Sequence, residues 1–225
     1  MRKLLGRLLE SSPPATAMAV ACDNFLRGTR VRVRGQNNRL LLGGSRLVRV
    51  RFNVEGDGNE IEIGSGSRLF DCVISVRGDG HRIRIGRDCI LGKMTIEMQS
   101  EGTAVVIGER TTSGGVVLDL NERGRSITIG DDCMISFAVE MRCGDSHSVI
   151  DRQTGNRLNP AKDILIGNHV WLGAYSAILK GATIGRDSVV GFRSTVTGAV
   201  EECSLVVGTP ARVIRKGVSW DRELL

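Results

Sequence analysis

The sequence predicts an all-β solenoid, a stack of triangular coils wound from short strands. Three observations predict it. Glycine and aliphatic residues recur every 22 positions through the first part of the chain. Aliphatic residues recur every six positions near its end. And only 4% of the 225 residues are aromatic, against 41% hydrophobic overall and 29 glycines, so the core must be built from layers of Ile, Val, Leu and Ala.

The longer period comes first along the chain. Gly64, Gly86, Gly108 and Gly130 are 22 residues apart, as are Ile63, Ile85, Ile107 and Ile129. Two more columns keep that register: Ile61, Ile83, Val105, Ile127 and Gly58, Gly80, Gly102, Gly124. The Leu-Leu-Leu-Gly-Gly around Leu42 reads as an earlier, weaker copy shifted by about one residue. From Ile166 the step shortens to six: Ile166, Leu172, Ile178, Ile184, Val190, Val196. Four places after each stands a small or branched residue: Val170, Ser176, Ala182, Ser188, Ser194, Val200. A six-residue unit makes a short strand and a turn. The aliphatic points inward, the small residue fills the corner, and glycine or its neighbour takes the bend. Three units close one 18-residue coil, whose equivalent residues stack about 4.8 Å apart. Ile166 should then lie on Ile184, Leu172 on Val190 and Ile178 on Val196. Each 22-residue coil should carry about four extra residues on one side.

The period divides the chain into an N-terminal segment (1–34), wide coils (35–146), an inserted loop (147–165), narrow coils (166–208) and a C-terminal cap (209–225). "MRKLLGRLLE" reads as a short amphipathic helix, cut off by "SSPPAT", and no apolar run reaches membrane-spanning length. The net charge of +6 is scattered and has no aromatic stacking platform among its arginines, which argues against a nucleic-acid partner. Cys22, Cys72, Cys89, Cys133, Cys143 and Cys203 form no Cys-x-x-Cys pair. They read as buried free thiols of a reducing cytosol.

The period breaks once, in "RCGDSHSVIDRQTGNRLNPAKDILIGNHVWLGA", Arg142 to Ala174. Ile129, Ile135 and Met141 already step by six, and the next place is taken by His147. An imidazole titrates near neutrality and suits removal of a proton from a poor acid. Asp145, two residues earlier, faces the same way in an extended segment and can orient the ring, or it can cap a turn. Glu140 can serve the same purpose. His81 shares a column with Asn59, Thr103 and Arg125 and reads as a turn-edge residue; His169, between inward Ile166 and Val170, reads as surface or interface. The polar insertion carries Arg152, Arg157 and Lys162, which can meet an anionic acceptor or remain solvated. Trp171 follows an inward Val170 and should point outward, against sugar, cofactor or a neighbouring chain.

"ILIGNHVWLGAYSAILKGATIGRDSVVGFRSTVTGAV" followed by "SLVVGTPARVIRKG" resembles the hexapeptide-repeat acyltransferases. The likeness is to the branch that O-acetylates bacterial capsular and lipopolysaccharide sugars, and "DSHSVID" with "NPAKDILIGNHVWLGA" is similar to that branch's active-site segment. It covers about residues 127–220; the earlier coils match in architecture alone. The resemblance implies a left-handed parallel β-helix, acetyl-CoA as donor, a glycan acceptor, a cytoplasmic location and a homotrimer with active sites between neighbouring prisms. It supports His147 as the base and Trp171 against sugar or cofactor; Asp145 as its helper and Arg152 and Arg157 towards the substrate remain readings of the residues alone. Coenzyme A would lie along the last coils, near Gly173, Ala174 and Phe192, with Arg212, Arg215 and Lys216 at its phosphates. Phe192 and Arg193 stand where relatives have small residues, and Gly198 where they often have lysine, for which Arg193 can substitute. Other readings stay open: N-acetylation of a nucleotide-linked amino sugar, and a non-catalytic solenoid. A zinc enzyme of the gamma-type carbonic anhydrase kind needs three convergent histidines, and the repeat positions of His81, His147 and His169 do not bring them together.

Overall fold

A computed structural model describes residues 28–225. The proposed N-terminal helix lies outside the described residues. Within them the chain winds into three sheets of eight, eight and nine strands, parallel throughout except for the last strand of the nine-stranded sheet. We call these the first, second and third faces, in the order in which the chain visits them, starting with Arg30–Arg34, Arg39–Leu41 and Arg46–Val48. The first strand therefore lies within the stretch assigned from sequence to the N-terminal segment.

The columns read from sequence are the pairing register. Ile61 pairs with Ile83, Ile83 with Val105 and Val105 with Ile127. The weak first copy is offset by one, Leu40 meeting Ile61. In the narrow coils Ile166 meets Ile184, Leu172 meets Val190 and Ile178 meets Val196. The inward members are buried in one continuous aliphatic core, because parallel stacking repeats the same inward position at every turn.

The extra residues of the wide coils fall on the first face and the corner that follows it. Strands there are five residues long from Arg30–Arg34 to Val116–Leu120, then shorten to Val139–Arg142, Ala177–Leu179 and Thr195–Val196. The prism thus narrows on one side as the period changes, and the wide coils leave a ledge at the corner between the first and second faces.

Two buried polar columns line the corners. Between the second and third faces, Ser67 Oγ donates to the Gly86 carbonyl at 2.7 Å and accepts from the Cys89 amide at 3.0 Å. Thr111 does the same for Gly130 and Cys133. Cys89 and Cys133 occupy this column as thiols that donate to Gly108 and Gly167. Among the described residues all five cysteines are free; Cys72, Cys89, Cys133 and Cys143 are buried and Cys203 is half-buried. Burial pushes the Cys133 thiol up to about 11 and Cys143 up to about 12.

Between the first and second faces runs the column Asn38, Asn59, His81, Thr103. His81 is fully buried, not a turn-edge residue, because its column lines the inside of the corner. The Asn59 carboxamide oxygen accepts from the His81 amide at 2.9 Å. The Thr103 amide donates to His81 Nδ1 at 3.2 Å, and Nε2 lies 3.2 Å from the Arg77 carbonyl. A ring nitrogen that accepts an N–H carries no proton, so the neutral Nε2–H tautomer satisfies every partner.

The C-terminal cap begins as a hairpin, Ala211–Lys216 running antiparallel on Ser204–Gly208. The tail then descends along the corner between the second and third faces. Trp220 stacks on His169 with ring centres 4.3 Å apart and donates from Nε1 to the His169 carbonyl. Arg222 reaches Asp132 and Thr112. Among the described residues no helix is long and apolar enough to cross a membrane.

Candidate active site

The winding breaks at the ledge. Ile129 pairs with Ile166, the place that an 18-residue coil would have given to residue 147. The core is closed by Cys143 before the chain leaves and by Ile164 after it returns, both buried. His147 therefore never enters the core. It projects, exposed, from the corner between the first and second faces.

Its local backbone is shaped by close contacts. Gly144 is packed against the Asn121 and Glu122 side chains and Ala161, so that a Cβ there would collide with the Asn121 carboxamide oxygen. Ser146 sits in the left-handed region at φ 62°, uncommon for a residue with a side chain, and its hydroxyl accepts from Asn121 Nδ2 at 2.8 Å. The next residue, His147, lines a cleft of about 240 Å³ together with Gln99, Asp119, Asn121, Glu122, Ser146, Ser148 and Arg157. The wall is hydroxyl, amide and carboxylate, the groups that hydrogen-bond a polyol.

Asp145 does not reach its role as the sequence reading had it. Its carboxylate binds the Lys180 ammonium and the Asn159 amide, and these two, Lys180 first, hold it below the usual carboxylate range. Among the described residues no hydrogen bond fixes the His147 ring. Glu140 is turned to Arg142, which also binds Asp119 at 2.9 Å. Burial outweighs that arginine and holds the Asp119 carboxyl above its ordinary value.

Of the loop arginines, Arg157 lines the cleft but clamps Glu122 through two bonds of 2.8 and 2.5 Å. A bidentate pair of this kind fixes geometry. Here it ties the loop to the last wide coil. Arg152 is exposed on the loop. Sequence reasoning missed Glu122, Asn159 and Lys180. Glu122 had a visible signal: it stands in a column otherwise held by Gly56, Gly78 and Ser100.

The residues assigned to the cofactor sit elsewhere. Gly173, Ala174, Phe192 and Arg193 occupy the corner between the third and first faces. The Gly173 amide donates to Val190 and the Arg193 amide to Ala174, both within the ladder. Phe137, Tyr175 and Phe192 form an exposed aromatic strip, with edge-to-face ring centres 5.2 and 5.6 Å apart, and the Arg193 guanidinium lies over Tyr175 and Phe192. Arg212 and Arg215 are exposed on the terminal hairpin, and Lys216 pairs with Glu201. Trp171 does face outward, but on the third face, where it is half-buried beside Trp220 and donates weakly to Ser136. His147 and the aromatic strip thus border opposite edges of the first face, and Trp171 lies on the face opposite His147's corner. One chain does not bring the three together. His169 is held by Asp187 at 2.9 Å and by the Trp220 stack.

A family model described as bacterial transferase hexapeptide (six repeats) matches residues 163–198. The chain is similar to the polysialic acid O-acetyltransferase of Escherichia coli O1:K1, 34% identical over 91 residues, 40% of this chain and 30% of that protein. It is also similar to the Neisseria meningitidis polysialic acid O-acetyltransferase, 30% identical over 94 residues, 41% of this chain and 44% of that one. The chain thus matches these curated relatives over less than half of their length. Among solved structures, the polySia specific acetyltransferase NeuO superposes with a TM-score of 0.76 at 29% identity, covering 94% of this chain and 91% of that one. The polysialic acid O-acetyltransferase OatWY gives 0.60 at 26%, covering 88% and 92%.

Proposed function

We propose that the chain is a hexapeptide-repeat acyltransferase that transfers an acetyl group from acetyl-CoA to a sugar hydroxyl of a bacterial surface polysaccharide or its precursor. One observation carries the reading: a histidine, at the interruption of the six-residue winding, opens onto a cleft walled by polyol-binding groups.

In the proposed reaction the sugar hydroxyl enters that cleft and His147 removes its proton as the oxygen attacks the thioester carbonyl. A base so placed contributes roughly 100- to 10,000-fold. The tetrahedral intermediate expels the thiolate, which takes the proton back from the imidazolium, leaving an acetyl ester and free coenzyme A. His147 is the catalytic residue of this reading. The donor would lie along the aromatic strip, where Arg193 and the hairpin residues Arg212, Arg215 and Lys216 offer positive charge to phosphates. Because strip and histidine lie at different corners, a complete site draws its two halves from neighbouring chains. This supports the homotrimer that the family resemblance implies, and Trp171 of a neighbour is the candidate to face the substrate. A cytoplasmic location belongs to the same proposal.

The test is direct. The protein is incubated with acetyl-CoA and a panel of capsular and lipopolysaccharide glycans, polysialic acid included, and the products are weighed by mass spectrometry before and after mild alkali. An added acetyl mass that alkali removes is the expected result. An alkali-stable acetyl would instead mean an amide, and no transfer to any glycan would defeat the reading.

A further inference from the structure

We propose that Asn159 is a positioning residue for His147, acting with the Glu122–Arg157 and Asp145–Lys180 pairs that anchor it to the coils on either side. The inference rests on the reading that His147 is the base.

The Asn159 carboxamide uses both of its donors and both lone pairs of its oxygen around the histidine. Nδ2 donates to Asp145 Oδ2 at 2.7 Å and to the His147 carbonyl at 2.8 Å. Oδ1 accepts from the Val149 amide at 2.6 Å and from Arg157 Nε at 3.3 Å. The Asn159 main-chain carbonyl adds two more contacts, from Lys180 Nζ and Arg157 Nη2, each at 3.1 Å. One amide therefore grips the side chain two residues before His147, the main chain at it, and the main chain two residues after it. An amide can make four such bonds, and here all four are made.

The grip is tied to the prism at both ends. Arg157 is locked to Glu122 of the last wide coil, and Lys180 projects from the narrow coil that follows the loop. His147 itself is exposed, and it follows directly on the left-handed Ser146. Where its ring points is set by the main chain of residues 145–149, and Asn159 sets that main chain. The acidic Asp145 is thereby a support of the histidine's backbone through Asn159 and Lys180. Misplacement of a reacting group by about 1 Å costs on the order of 100-fold in rate.

The experiment uses the full chain, acetyl-CoA and the pooled glycans of the panel above. Asn159→Ala should lower kcat roughly 100-fold, with KM for acetyl-CoA and the thermal midpoint little changed. Asn159→Asp keeps both acceptors but has no donor for Asp145 or His147, and should fall as far. Lys180→Met is a second route to the same loss without touching the loop, and Lys180→Arg should restore most of it. In a His147→Ala background none of these changes should lower the residual rate further, because groups acting through one residue are not additive with its removal. Wild-type kcat in Asn159→Ala, or an equal loss with His147 already gone, overturns the proposal and leaves the transferase reading intact. Full rate in His147→Ala, or no transfer by the unaltered chain, overturns the transferase reading and this proposal with it.

Discussion

His81 and His147 are the same residue type placed on the same corner of the prism, yet their surroundings give them opposite character. His81 is sealed in the corner column, and burial holds its ring below the ordinary 6.5, outweighing the backbone carbonyls that favour its charged form. Folding then disfavours the proton. The unfolded chain binds it more readily, so the contribution of His81 is complete above about pH 6.5 and is lost as pH falls below that value. Glu122 and Asp145, held low by Arg157 and Lys180, lose their contributions only further down, below the ordinary carboxylate values of 4.5 and 3.8. Between pH 7 and pH 5 the wild-type thermal midpoint should therefore fall more steeply than that of His81→Asn, which puts into the column the residue it holds at Asn59. Parallel curves for the two proteins would contradict the buried neutral tautomer.

At the scale of the strand and corner, the same turn recurs with different tolerances. Gly78 lies at φ 119° and a Cβ there would collide with the Ser100 carbonyl, whereas Gly80, at φ 68°, has open space around it. Gly78→Ala should cost roughly 3 kcal/mol, since adjacent coils must part to admit it. Gly80→Ala should cost about 1 kcal/mol, from its left-handed backbone alone. Denaturant midpoints measure the difference. These elements were largely legible beforehand. In a parallel solenoid the sequence period is the pairing register, so columns such as Ile61, Ile83, Val105 and Ile127 translate into neighbours without further information. Burial of His81 was not legible, because its column mixes Asn, His, Thr and Arg and gives no apolar signal. Nor was the web around Asn159. Periodicity tells inward from outward, but not which outward groups meet across an insertion, as Arg157 and Glu122 do 35 positions apart.

Seen as a whole, the prism explains why the site is where it is. Wide coils give way to narrow ones on the first face, and the insertion springs from the corner where that ledge ends. The ledge supplies Gln99, Asp119, Asn121 and Glu122 to one wall of the cleft; the loop supplies His147 and Arg157 to the other. The break in the winding was legible as a place, since residue 147 falls in phase with the six-residue step. The separation of its two predicted halves was not, because corners are assigned only once the extra residues of the wide coils are located. The central claim is that the imidazole at this break takes the proton from the acceptor hydroxyl. Its most direct measurement is the acetyl-transfer rate of His147→Ala beside a thermal melt of the same sample. A fall of roughly 100- to 10,000-fold with the melt unchanged is the predicted result, and an unreduced rate in a folded protein would contradict it.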